Sequence, residues 1–312
     1  MKRKISILII ALCTFGAFNA QAQQNCEIPL MIMQTNQAEP IPDGALDFLN
    51  NKLRQVATTA GLAAGPEFTQ FCIVPKISML NKEILPGPPS KFVYNMEMTL
   101  YIADAWGEKV FTSTNINMKG VGNNETKAYI AGIKGINPRS TDLQQFVNDG
   151  KDKIIEYYNT QYPTIIKKAQ SLAAMKKYDE ALFYLGSIPE CSKGYDSALN
   201  VAFSVYQQYV DQLCLENLAK AKMVWAAQQN AYGAQEAGEY LQYIYPDAKC
   251  YGEAMSLYKE IKGKVLDDWK FVMKIYDDAV SLEKQRINAW RDVGVAYGRG
   301  QKNRTTNVYW IR

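Results

Sequence analysis

One helical phrase occurs twice in this chain, and that repetition limits the fold more than any other feature. Glu180, Ala181, Leu185, Ile188, Tyr195 and Ala198 recur 56 residues later as Glu236, Ala237, Leu241, Ile244, Tyr251 and Ala254. These identities at one offset in a run of nineteen positions imply duplication of a unit whose copies stack to bury their apolar faces. In the first copy Ala181 is small enough for a neighbouring helix to approach, and Leu185 and Ile188 follow on the same face at helical spacing. Pro189 and Pro246 end the copies, because proline has no N–H and clashes with the turn before it. Ile165, Ala169 and Leu172 supply a matching stripe ahead of the first copy. The pattern predicts successively antiparallel helices at 164–175, 178–188, 194–212, 214–230 and 234–245.

With its run Lys177-Tyr178-Asp179-Glu180-Ala181-Leu182, the segment 164–188 resembles a tetratricopeptide repeat, a pair of antiparallel helices. Residues 219–245 resemble it too. There Ala221 to Ala237 spans sixteen residues against twelve from Ala169 to Ala181, an addition of about one helical turn. The resemblance implies a concave surface that binds a peptide or protein, and no catalysis. A helical scaffold with no ligand of its own fits the same residues.

At the start, Lys2, Arg3 and Lys4 precede an apolar run from Ile5 to Phe18, and Ala20-Gln21-Ala22 follows as a small-residue cleavage site. Residues 1–22 therefore read as a signal peptide cleaved after Ala22, which places the protein in the periplasm or outside the cell. The run is too short to span a bilayer and no second run of spanning length follows, so the protein is expected not to be membrane-spanning. Cys13 follows bulky Leu12, which argues against a lipid anchor. Cleavage removes three positive charges and no acid, taking the formal charge from +4 to about +1, which gives no reason to expect nucleic acid as a partner.

Residues 23–160 read as an α+β domain. A strand at 28–33 leads to a helix near 44–60, with Leu46, Leu49, Leu53 and Val56 on one face. A second strand at 71–77 is followed by the loop Pro86-Gly-Pro-Pro89. Phe92, Tyr94, Met96, Met98, Leu100 and Ile102 then alternate, and after Asp104-Ala-Trp-Gly107 the strand 110–118 completes a long hairpin. Helices at 124–134 and 141–160 close the domain. This order resembles the secreted α/β domains of the curli-assembly (CsgG-like) and TolB amino-terminal type, and the resemblance implies work in envelope assembly through protein contacts.

The helical repeats occupy residues 161–263. Residues 264–312 read as the continuation of one long C-terminal helix with a basic tail. Leu266, Trp269, Met273, Tyr276, Val280, Ile287, Trp290 and Tyr297 follow a seam of threes and fours, flawed at Glu283 and Gly294. From Tyr251 to Tyr297 such a helix would be about 70 Å long. Its apolar row is expected to pack partly on residues 140–160 and otherwise on a partner, including a second copy in a homo-oligomer.

The chain has no histidine, which removes Ser-His-Asp and Cys-His nucleophile systems and imidazole zinc sites. The acids Asp267-Asp268 and Asp277-Asp278 lie about 15 Å apart on a continuous helix, too far for a glycosidase pair. Gly120-Val-Gly122-Asn-Asn-Glu125 lacks the Lys-Ser/Thr ending of a phosphate loop and puts an acid where the phosphate would sit. It reads as a strand-to-helix turn with an Asn cap. No cofactor or metal is expected. Candidate partner-binding residues are Tyr206, Tyr209, Tyr240 and Tyr243 in the array, with Trp269, Tyr276 and Trp290 in the last helix.

Five cysteines follow the cleavage site, so at least one stays unpaired if the rest form disulfides. The helix count places Cys214 and Cys250 at one end of the array and predicts their bond. Cys26 and Cys72 begin two strands joined by a crossover helix, and would pair if those strands were adjacent. The functional expectation is a secreted, non-enzymatic adaptor or scaffold of the bacterial cell envelope that binds a protein partner through its helical repeats. The alternative is a glycan- or cell-wall-binding protein or carboxylate-dependent hydrolase.

Overall fold

The computed structural model describes residues 28–37, 39–61, 70–266, 269–274, 279–302, 307–308 and 311. The expected signal peptide, Cys26 and Tyr276 lie outside them.

The alternating residues at 94–102 build the centre of a sheet. Strands β1 (Leu30–Ile32), β2 (Gln34–Thr35), β3 (Phe71–Leu85), β4 (Lys91–Asp104) and β5 (Lys109–Gly122) form the amino-terminal half, with β1-β3-β4-β5 as a four-stranded sheet. Helix α1 (Asp43–Thr59) lies between β1 and β3 in sequence, and those two strands pair in parallel with Met31 opposite Cys72. The β3–β4 and β4–β5 pairs are antiparallel. Tyr94, Met96, Met98, Leu100 and Ile102 are all buried on one face, as the period of two requires. Leu49, Leu53 and Val56 of α1 share their core, together with Ala128 and Ile133 of α2 (Glu125–Lys134) and Phe146, Val147 and Ile154 of α3 (Thr141–Ala174).

Asn124 caps α2, its Oδ1 accepting the Lys127 N–H at 2.8 Å. The preceding glycines let this helix lie on the β5 backbone: a Cβ on Gly120 would sit 1.8 Å from the Ala128 carbonyl oxygen. The Gly-rich segment is thus a packing device.

Helix α3 runs unbroken through residue 160, where the sequence suggests a domain boundary, and contains Pro163. The helices that follow are α4 (Tyr178–Gly186), α5 (Tyr195–Ala227), α6 (Ala231–Leu241) and α7 (Tyr251–Val265). The expected break near residue 213 is absent, so α5 is one helix rather than two. No glycine or proline occurs between residues 195 and 227, so nothing in the chain interrupts the hydrogen-bond ladder there.

The turns after α4 and α6 are the same in their hydrogen bonding. Ile188, Ser192, Tyr195 and Ala198 donate their N–H groups to the carbonyls of Leu185, Pro189, Ser192 and Gly194. Ile244, Ala248, Tyr251 and Ala254 donate to Leu241, Tyr245, Ala248 and Cys250, so every donor and acceptor recurs at an offset of 56. Each turn is also pinned by a side chain of the preceding long helix. Lys193 N donates to Asn159 Oδ1 at 2.6 Å, and Lys249 N to Asp211 Oδ1 at 2.9 Å.

The C-terminal region departs from the expected single helix. Helix α7 ends at Val265, Leu266 takes φ +51°, and the chain turns back along α7. Tyr258 donates its hydroxyl to the Phe271 carbonyl at 3.2 Å, and Tyr251 to the Lys274 carbonyl at 2.5 Å. Trp269 and Phe271 stack at 5.2 Å, with Trp269 also 5.4 Å from the Tyr258 ring. This reversal buries Trp269 and Met273 inside the chain, which removes the reason to expect a partner or a second copy over them, while Leu266 at the turn stays exposed.

Helix α8 (Ala279–Lys302) packs on α4 and α5, not on residues 140–160. Gly294, a flaw in the expected seam, lets α8 lie against the α4 backbone: a Cβ there would sit 3.0 Å from the Leu182 carbonyl. Strand β6 (Asn307–Val308) then pairs with β2, and Ile311 is buried with Met33, Cys72, Val74 and Ala103 on the outer face of the sheet. One buried cluster extends from Ile28 through the helices to Trp290, so sheet and helices share a core.

Candidate functional site

A buried polar hub closes the end of the sheet. Asp104 ends β4 and is 2% exposed. Its Oδ1 accepts the N–H groups of Trp106 at 2.8 Å and Gly107 at 2.9 Å, which folds the β4–β5 turn. Its Oδ2 accepts from Gln70 Nε2 at 2.9 Å and from the Tyr158 hydroxyl at 2.9 Å. Gln70 Nε2 also reaches the Tyr158 oxygen, and the Gln70 carbonyl accepts the Ala105 N–H at 2.9 Å. Burial, reinforced by the charge of Asp104, pushes the Tyr158 hydroxyl far above the usual tyrosine range. It stays protonated and acts as a donor. With four donors on its two oxygens, Asp104 serves as a structural acceptor.

Beside this hub lies a cavity of about 270 Å³. Ile28, Pro29, Gln70 and Phe71 come from the strand ends and Trp106 from the β4–β5 turn. Residues 186–190 contribute the α4–α5 turn, Tyr195 the start of α5, and Trp290 and Arg291 the middle of α8. The recurrent turn is what brings Glu190 and Tyr195 to the opening. There Arg291 Nη2 donates to Glu190 Oε1 at 2.6 Å and to the Tyr195 hydroxyl. Burial raises the Tyr195 hydroxyl above its ordinary range, with Arg291 acting against that shift. Two indole N–H groups in the lining, Trp106 Nε1 and Trp290 Nε1, are buried and meet no acceptor among the described residues.

The residues expected from sequence to bind a partner are dispersed. Trp290 reaches the cavity, but at 2% exposure it is a core residue, since α8 lies on α4. Trp269 is buried by the reversal after α7. Tyr206 is buried beside half-buried Tyr209, their rings 6.2 Å apart, and Tyr209 packs on Tyr178. Tyr240 is half-buried, while Tyr243 is 56% exposed. Tyr206, Trp269 and Trp290 are therefore corrected from surface contacts to packing. Sequence reading missed Gln70, Tyr158, Glu190 and Arg291, which are single polar residues in otherwise ordinary helix and loop contexts. Asp104-Ala-Trp-Gly107 did carry a local signal, an Asp that caps its own turn.

Cys214 and Cys250 form a disulfide, with Cα atoms 6.0 Å apart, as the sequence predicts. The route differs from the expected one. Cys214 lies midway along α5, thirteen residues or about 20 Å before its end at Ala227, and α6 brings the chain back toward that level. The expected Cys26–Cys72 pairing involves a residue outside the described ones; Cys72 itself is buried, its Sγ 3.5 Å from the Ala103 carbonyl oxygen. The parallel register places Met31 opposite Cys72, five positions beyond Cys26 in the chain. Cys191 is disulfide-bonded.

Among the described residues no three cysteine, aspartate or glutamate side chains come close enough to hold a metal ion, and no helix is long and apolar enough to cross a membrane. No protein family, curated protein or solved structure matches this chain.

Proposed function

We propose that this protein is a secreted, non-enzymatic scaffold of the bacterial cell envelope, holding a protein partner on a tetratricopeptide-like set of helices α3–α7. The observation that carries the reading is the recurrence of one helix–turn–helix, hydrogen bond for hydrogen bond, at an offset of 56. Such units present long helix faces whose side chains can be exchanged without disturbing the stack. On α5 one of those faces is apolar and open to solvent: Leu215 is 61% exposed and Met223 66%, with exposed Ala219 between them. Residues spaced by four lie in a row on one side of a helix. An apolar row of this kind, rimmed by Glu216, Lys220 and Lys222, suits contact with another protein. The disulfide Cys214–Cys250 is compatible with an oxidising compartment. The sheet half, which resembles envelope-assembly domains, fits the same setting.

The test is affinity capture from the protein's own envelope fraction, comparing the native chain with a Leu215→Glu, Met223→Glu variant. Capture of one defined protein by the native chain and its loss in the folded variant is the expected result. Equal capture by both would refute the assignment to this face.

A further inference from the structure

The cavity beside Asp104 has the makings of a ligand site independent of the α5 face. We infer that it binds a small organic carboxylate with a compact apolar body, about the size of one amino-acid residue. Three features on different elements converge on that chemistry. Trp106 and Trp290 line the cavity, and each carries a buried indole N–H that meets no acceptor among the described residues. A buried donor left without a partner is unfavourable, and an entering oxygen atom relieves it. Arg291 stands at the opening as a cation, and its guanidinium already holds one carboxylate, that of Glu190, at 2.6 Å.

Glu190 is the stand-in. Its side chain is 71% exposed, and an ion pair so open to water is weak enough for a competing carboxylate to replace it. The ligand's carboxylate would then meet Arg291 and an indole N–H. Its apolar part would rest on Phe71, Pro29 and Ile188, which supply the walls. The volume of about 270 Å³ lies at the lower edge of ordinary ligand pockets, which sets the size of the ligand.

Titration of the full mature protein with N-acetyl-L-phenylalanine tests the assignment, read by tryptophan fluorescence because two of the lining residues are indoles. The N-methylamide of the same compound is the control lacking charge, and a pentapeptide ending in phenylalanine asks whether the carboxylate belongs to a chain end. Saturable binding of the acid, with the amide about tenfold weaker or worse, is the expected result for loss of one charge-assisted contact. Comparable binding of the pentapeptide assigns the source as a chain end, and binding of the small acid alone assigns a free metabolite. Glu190→Gln frees the guanidinium and should tighten binding several-fold, whereas Arg291→Gln should weaken it about tenfold. Glu190 is exposed and Arg291 half-buried, so a thermal melt of each variant confirms that it is folded before binding is compared. Trp106→Phe keeps a ring and removes one N–H, and should weaken the acid more than the amide, because a carboxylate accepts the stronger hydrogen bond. Equal affinity for acid and amide, insensitivity to both Glu190→Gln and Arg291→Gln, or no saturable signal in the millimolar range would overturn the inference.

Discussion

Tyr162 lies directly over Gly194, so close that a Cβ on Gly194 would sit 2.4 Å from the Tyr162 Cβ. The equivalent contact in the second unit is the disulfide. Gly194 corresponds to Cys250 at the offset of 56, and Tyr162 to Cys214 at the offset of 52 that relates Asn159 to Asp211. Both contacts tie the start of a helix to the long helix two elements earlier. One does so by packing, the other by a covalent bond.

Gly194→Ala is accordingly expected to destabilise the first unit by about 1–3 kcal/mol, the usual cost of overpacking. Thermal denaturation should show a melting temperature lower by several degrees. Adding Tyr162→Gly removes both the Cβ and the ring that meet the new methyl group, so the double variant should lose less than the sum of the two single changes.

Replacing Cys214 and Cys250 together by serine opens a link with a sequence separation of 36, for which the loop-entropy argument gives about 4 kcal/mol. Urea titration of the native and double-serine chains measures the difference. A change below about 1 kcal/mol would mean that the turn after α6 is held by Asp211 and packing alone.

Asp211 makes stability depend on acid pH. Burial works against its charged form, but the backbone and side chain of Lys249 and the amide of Gln207 outweigh it and hold the carboxyl below its ordinary range. A carboxyl lowered in the folded state contributes stability that is complete above the unfolded value near 4 and is lost as pH falls through the folded value. Native stability should therefore drop below about pH 4 more steeply than that of Asp211→Asn, measured by urea midpoints between neutral and acid pH.

Deleting residues 264–312 should destabilise the sheet as well as the helices. It removes Trp290 from the shared core and Ile311 from the cluster over Cys72, Val74 and Ala103. Near-ultraviolet dichroism and thermal melting of the truncated chain should show weaker tertiary packing throughout. An unchanged melting temperature would mean that the sheet half folds on its own.

Local chemistry alone made several of these elements legible. The alternation from Tyr94 to Ile102 could only line one face of a strand, and Leu49, Leu53 and Val56 one face of a helix, because side-chain direction follows backbone period. The offset of 56 foretold two like turns, since the same small and apolar residues at the same spacing select the same short-range hydrogen bonds. Residues 195–227 also carried the evidence for a single helix, in their lack of any breaker, even where the expected repeat length argued for two.

What covers an apolar stripe was a different matter. The row from Leu266 to Trp290 has helical spacing, and periodicity cannot tell a helix buried by a partner from a chain that reverses to cover itself. Tyr251 and Tyr258 decide that reversal by offering hydroxyls to carbonyls twenty-three and thirteen residues away. The cavity likewise draws on strand ends, two turns and α8, segments separated by up to 263 residues from Ile28 to Arg291. Its polar groups are unremarkable where they stand in the chain. They acquire meaning only when long-range packing gathers Gln70, Trp106, Glu190, Tyr195, Trp290 and Arg291 around one space, because desolvation and hydrogen-bond matching act between neighbours in space and leave no periodic trace in sequence.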